Sequence, residues 1–198
     1  METNKDFKEV SDEELVTAIV RTNDTLLFEI LYDRHSKMVY NKCLGFSKNE
    51  DEAKDLTQDV FLKLFVKLST FKGTAKFSTW LYAFTYNHCV NYVNRDVHKK
   101  MEKKSVDPSI VEDESEDEQN EYSFLQMRVD KLKSALELIS PDDKMILLLK
   151  YQDFLTIKEL ESVLDIGESA VKMRLKRAKE KLIAVYADIN QINHGESV

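Results

Sequence analysis

An all-α fold in two small helical domains is what this sequence predicts, on three observations. Glycine (4) and proline (2) are scarce in 198 residues, amphipathic segments of helical period recur, and an acidic stretch divides the chain. That stretch, DPSIVEDESEDEQNE from Asp107 to Glu121, holds eight acids and no base, and removing them takes the formal charge from -7 to +1. Like charges at this density repel and bury no apolar surface, so a flexible acidic linker is expected over 98–122. The helical domains on either side span 11–97 and 123–187, and no internal repeat relates them.

Capping chemistry and apolar spacing place the helices in order. Ser11 ahead of Glu14 opens 12–21, because a hydroxyl can accept an orphan N–H of the first turn while the acid favours the positive helix end. Apolar spacing then gives 25–44. Ser47 ahead of Glu50 opens 48–68 by the same logic, and spacing gives 77–97 and 123–139. Ser140 with Pro141 ahead of Asp143 opens 141–152, Thr156 ahead of Glu159 opens 156–163, and a last helix covers 168–187.

Composition excludes several classes of function. A balance of 42% hydrophobic and 33% charged residues is that of a globular protein, and no apolar run reaches the ~18 residues that span a bilayer. The start METNKDFKEV lacks the order of a signal peptide, so a cytoplasmic protein without membrane insertion is expected. Cys43 and Cys89 stand far apart with no paired histidines, which fits buried thiols better than a metal site or a disulfide framework. His35, His88, His98 and His194 form no triad or ligand spacing and no glycine-rich phosphate loop occurs. No enzyme activity, cofactor or metal is expected.

Three segments carry chemistry. Six of the ten residues from Lys172 to Lys181 are basic. At 100° per residue Val171, Leu175, Ala178 and Leu182 form an apolar seam within about 60°. Ser169, Met173, Lys176, Arg177 and Glu180 face the other way, with Lys172, Lys179, Arg174 and Lys181 on the flanks. TIKELESVLDI, with Ile157, Leu160 and Leu164 inward, precedes it across a short turn, which makes a helix-turn-helix whose second helix can enter a major groove. A solvated coiled-coil face is the rival explanation.

Upstream, helix 48–68 turns Ala53, Leu56, Val60, Phe61, Leu64 and Leu68 inward. Asp55, Gln58, Asp59 and Leu62 are left as an outward strip, either plain solvent face or a docking surface. In Phe71–Arg95, Phe77, Trp80, Leu81, Phe84 and Cys89 can supply a core. Tyr82, Tyr86, Asn87, Asn91, Tyr92 and Asn94 exceed what packing needs, and aromatics with amides and nearby cations suit unstacked bases. Lys72, Gly73, Thr74, Ala75 and Lys76 form a basic loop before them.

Taken in order, DEELV (Asp12–Val16), LYDRH (Leu31–His35), EDEAKDLTQDVFLKLF (Glu50–Phe65), FKGTAKFSTWLY (Phe71–Tyr82), SPDDKMILLLKY (Ser140–Tyr151) and the helix-turn-helix through KMRLKRAKEKL resemble a bacterial RNA polymerase sigma factor of the extracytoplasmic-function group, sigma-70 family. The resemblance covers both domains. It implies an alternative sigma factor that binds core RNA polymerase and promoter DNA, duplex and melted, and that is held by an anti-sigma factor. It also implies that Asp55, Gln58, Asp59 and Leu62 dock on polymerase, and that Lys72, Gly73, Thr74, Ala75, Lys76, Phe77, Trp80, Tyr82, Asn87 and Asn91 bind the minus-ten strand. Ser169, Lys172, Met173, Lys176 and Arg177 are implied to read the minus-thirty-five duplex, with Arg174 and Lys179 on phosphates.

Two positions depart from the family pattern: Glu161 stands where a small residue is usual, and Asp165 replaces a turn glycine, a mild change because Asp tolerates the left-handed region. A regulator that binds duplex DNA without polymerase would leave 50–82 unexplained; a helical adaptor would use the basic helix on an acidic partner. In the family the linker lies along the polymerase's RNA path, where its eight carboxylates are expected to mimic phosphate. Neutralising all eight is expected to weaken holoenzyme assembly or alter promoter escape; unchanged behaviour in both assays removes the idea.

Overall fold

The computed structural model describes residues 9–101 and 129–195, and every regular element among them is helical. They form two compact units, the division on the first side falling at Val93. The predicted linker lies, from residue 102 on, outside the described residues, as do 123–128 of the predicted fifth helix.

In the first unit, α1 (Asp12–Thr22) opens on a reciprocal Ser11–Glu14 capping box. It ends on Asn23 in the left-handed conformation (φ 52°), and Asp24 at once caps α2 (Thr25–Leu44) by accepting the Leu26 N–H at 2.8 Å. Two adjacent residues thus stop one helix and start the next. α3 (Glu50–Lys67) is capped by Asn49, whose side chain accepts the Glu52 N–H at 2.8 Å. This corrects the predicted start at Ser47, whose hydroxyl instead donates to the Leu44 carbonyl. A 3-10 turn (Leu68–Thr70) and a loop lead to α4 (Phe77–Met101).

The core of this unit is where α2, α3 and α4 meet. Ala53, Leu56, Val60, Phe61, Leu64 and Leu68 are buried as predicted. Phe61 is approached edge-on by Phe28 and at a tilt by Tyr32, with centroids 6.4 and 4.5 Å away, arrangements that aromatic quadrupoles favour. Lys42 is buried with its ammonium 3.2 Å from the Tyr86 hydroxyl and 4.2 Å from the Tyr82 ring centre. Tyr86, expected among the surplus aromatics, is therefore a core residue.

The second unit comprises α5 (Val129–Leu138), α6 (Pro141–Leu147), α7 (Ile157–Leu164) and α8 (Glu168–Gly195). Ser140 caps α6 with proline at its start, and a Thr156–Glu159 capping box opens α7, both as predicted. α6 widens into a π turn over Leu148–Gln152. Past it, Phe154 takes a left-handed conformation (φ 59°), which lets the Leu155 N–H close on the Leu149 carbonyl at 3.1 Å. Glycine is the usual residue for such a reversal, and Phe154 is 81% exposed.

Backbone strain at Phe154 is therefore not repaid by packing. Replacing Phe154 with Gly is expected to raise stability by roughly 0.5–1 kcal/mol, since relief of about 1–2 kcal/mol exceeds the added chain entropy of glycine. Urea unfolding checks this, and equal or lower stability contradicts it.

Candidate functional site

The first surface is the outer side of α3. Successive steps of 100° bring Asp55, Gln58, Asp59 and Leu62 onto one strip directly opposite the buried row. All four are exposed, Leu62 to 69%. Val66, one turn further on, continues the strip at 73% exposure. Sequence reasoning missed it, although its spacing of four from Leu62 carries the signal. The result is an acidic and amide strip ending in two bare aliphatic side chains.

The second surface is the loop before α4 and the outer strip of that helix. Gly73 has φ 70° with open space where a Cβ would stand, so glycine is there for its backbone freedom rather than for room. Lys72, Gly73, Thr74 and Lys76 are exposed and Ala75 is half-buried. Between this loop and α1 lies a cleft of about 410 Å³ lined by Val16, Thr17, Val20, Phe71, Lys72 and Gly73 among others. Glu13 on α1 reaches across to accept the Phe77 N–H at 2.8 Å, satisfying a first-turn donor of α4 from another helix. Nothing local in the sequence signals that contact.

Along α4, Phe77, Thr79, Leu81, Ala83, Thr85, Tyr86, Cys89 and Val90 are buried, and they cover most of its circumference. Trp80, Phe84, Asn87 and Asn91 fall within about 60° of one another on the remaining strip. Trp80 and Phe84 are half-buried and stack at 5.2 Å, with Phe71 5.5 Å from Trp80; Asn87 and Asn91 are exposed. Two expected base contacts need correction. Phe77 is fully buried against His35, Phe71 and Trp80 and has no face left for a base. Tyr82 lies on the opposite side of α4, half-buried under the Lys42 ammonium, and does not join Trp80, Asn87 and Asn91.

The third surface, in the second unit, is α8. Its seam is as predicted: Val171, Leu175, Ala178 and Leu182 are buried. On α7 Leu160 is buried, while Ile157 and Leu164 are half-buried. Asp165 ends α7 in the left-handed conformation (φ 54°, ψ 45°), so the turn keeps its geometry without glycine. Glu161 is half-buried, not enclosed.

Outward on α8, Ser169, Lys172, Met173 (51%) and Arg177 are exposed, and Arg174, Lys176 and Lys179 are half-buried. The Glu168 carboxylate sits 2.6 Å from the Lys172 ammonium, raising the Lys172 pKa and lowering that of Glu168 through their hydrogen bond and mutual charge. Arg174 stands 3.9 Å from Asp142, and Lys181 2.8 Å from Asp143. Acids of α6 and of the start of α8 therefore hold part of the cationic flank, an arrangement the linear charge pattern did not reveal.

Comparison with known proteins gives consistent matches. Residues 31–98 match the family described as Sigma-70 region 2 and residues 130–182 that described as Sigma-70, region 4, together more than half of the chain. Among solved structures, the sigma factor RpoE in complex with the anti-sigma factor NepR from Bartonella quintana is similar at TM-score 0.55 and 17% identity, over 80% of this chain and 95% of that one. CnrH in complex with the cytosolic domain of CnrY is similar at TM-score 0.57 and 20% identity, over 90% of this chain and 99% of that one. No curated protein matches the sequence. Two region matches in this order on two helical units place the chain in the sigma-70 family, extracytoplasmic-function group, as an alternative sigma factor that binds core RNA polymerase and directs promoter-specific transcription initiation.

Proposed function

We propose that three separate surfaces divide this work. The α3 strip Asp55, Gln58, Asp59, Leu62 and Val66 grips polymerase: two bare aliphatic side chains beside acids and an amide suit a partner helix of mixed basic and apolar character. The loop 72–76 with its cleft takes an unpaired base, and Trp80, Asn87 and Asn91 hold the adjoining strand. Ser169, Lys172, Met173, Lys176 and Arg177 enter the minus-thirty-five major groove while Arg174 and Lys179 neutralise phosphates.

The observation that carries this proposal is that the buried residues of α4 between Phe77 and Val90 cover most of its circumference. The strip left between them over Trp80–Asn91 bears an indole, a phenyl ring and two amides. Stacking of a base on an aromatic side chain is worth about 1–3 kcal/mol, comparable with the few kcal/mol that extruding one nucleotide costs. Strand opening is then driven by binding, and the chain supplies no catalytic group because bond making belongs to the polymerase.

Two further parts of the proposal are its setting and its inhibitor. Among the described residues no helix is long and apolar enough to cross a membrane, and work on polymerase places the chain in the cytoplasm. The relative RpoE was captured with an anti-sigma factor, and a comparable inhibitor is proposed here.

Asp55→Ala with Gln58→Ala is expected to lower affinity for core polymerase tenfold or more in a pull-down titration. Thermal stability should hold within about 0.5 kcal/mol, because both side chains are exposed. A parallel loss of stability would show misfolding and overturn the assignment. Lys172→Ala and Arg177→Ala in holoenzyme are each expected to weaken binding to minus-thirty-five duplex and, where the lost contact is to phosphate, to reduce the salt slope by about one; unchanged affinity for both contradicts the groove assignment.

A further inference from the structure

The chain's only cysteines, Cys43 and Cys89, are distant in sequence and neighbours in space. Cys43 lies in the last turn of α2 and Cys89 in the middle of α4; both are fully buried, and their sulfurs are 3.9 Å apart with the Cys89 thiol donating to Cys43. The pair therefore joins α2 to α4. A disulfide needs sulfurs at about 2.0 Å, an approach of roughly 2 Å shared between two side chains on helices that no covalent bond joins. We propose that Cys43 and Cys89 form an oxidation site, at which a hydroperoxide ties α2 to α4 through an intramolecular disulfide.

The place of Cys43 in the last turn of α2, where it accepts a hydrogen bond from the Cys89 thiol, assigns it the first step. The hydrogen bond from the Cys89 thiol holds the Cys43 thiol below its ordinary range in spite of burial. The same contact with Cys43, together with burial, pushes Cys89 up. The thiolate is the nucleophile in thiol oxidation. Cys43 therefore attacks a peroxide oxygen: the O–O bond breaks, one oxygen stays on sulfur as a sulfenic acid, and the other leaves as water or alcohol. The Cys89 sulfur then attacks the Cys43 sulfur, the S–O bond breaks, and the released oxygen leaves as water with the Cys89 proton. In sum two thiols are oxidised and one hydroperoxide is reduced, with no other reactant.

Access comes from the end of α2. The Cys43 carbonyl takes the N–H groups of Phe46 and Ser47 at 2.9 and 3.1 Å, and the neighbouring Leu44 is 41% exposed. Helix ends open more readily than the core around them, so the oxidation rate is set by that opening and should saturate as peroxide is raised. The closed disulfide spans nearly half of the first unit's chain and would keep the polymerase-binding and strand-binding surfaces folded under oxidative conditions.

The test treats the full native chain with hydrogen peroxide, then measures thiols, linked peptides by mass spectrometry and thermal stability. Both thiols are expected to disappear together, with one Cys43–Cys89 peptide in monomeric protein, reversal by dithiothreitol, and a melting temperature of the first unit raised by about 10 °C. In Cys89→Ala no linked peptide should form, and dimedone should trap a Cys43 sulfenic acid that forms more slowly than the wild-type linkage because the Cys89 hydrogen bond is gone; in Cys43→Ala no linked peptide should form either. Cross-links between chains, sulfinic acid without linkage, or thiols untouched while the wild-type chain remains folded would each overturn the proposal, and none of these readouts depends on a variant folding.

Discussion

The burial of α4 is the constraint on which the rest of the first unit depends. α2 and the turn after it hold α4 through the Cys43–Cys89 contact, the Lys42–Tyr86 hydrogen bond and the tilted approach of Phe46 to Tyr86 with centroids 5.8 Å apart, and Glu13 of α1 secures its first turn. With α4 held in this way, α3 must turn its opposite side outward, which leaves Asp55, Gln58, Asp59, Leu62 and Val66 in solvent. The loop before α4 is likewise fixed at both ends, by the turn at Leu68–Thr70 and by the Glu13 cap. Ligand surfaces built on such elements keep their geometry because the supporting side chains are packed.

Lys42 shows how the enclosure is made compatible with charge. An ammonium in a core is costly unless it is hydrogen-bonded, and here it meets a phenol oxygen and the faces of Tyr82 and Tyr86, at 4.2 and 4.6 Å from the ring centres. Cation–π attraction strengthens when water is excluded. This explains why two tyrosines that look surplus in the sequence are occupied by packing. The second unit solves a simpler problem: one apolar seam on α8, two capped helices beneath it, and a turn at Asp165 that needs no glycine.

Much of this was legible in the sequence, for a physical reason. Helix caps and apolar seams are local, so Ser11, Ser140, Thr156 and the row Val171, Leu175, Ala178, Leu182 could be placed from spacing alone, and the outward strip of α3 followed from its inward one. What escaped depended on distant partners. Asn49 prevailed over Ser47 because the helix starts two residues later than the serine allows. Tyr86 and the side taken by Tyr82 could not be assigned, since buried positions spread over most of a helix's circumference leave no single apolar face to read. The proximity of Cys43 to Cys89, the reach of Glu13 to Phe77, and the pairing of Lys172, Arg174 and Lys181 with acids likewise join residues that sequence position does not rank together.

The most direct measurement is strand opening by holoenzyme carrying Asn87→Ala and Asn91→Ala, followed with a fluorescent base analogue in the minus-ten region. Both amides are exposed on the strip of α4 that carries Trp80. The expected result is polymerase binding and duplex binding at the level of the unaltered chain, with opening reduced tenfold or more. Opening at the unaltered rate would contradict the assignment of that strip to the melted strand.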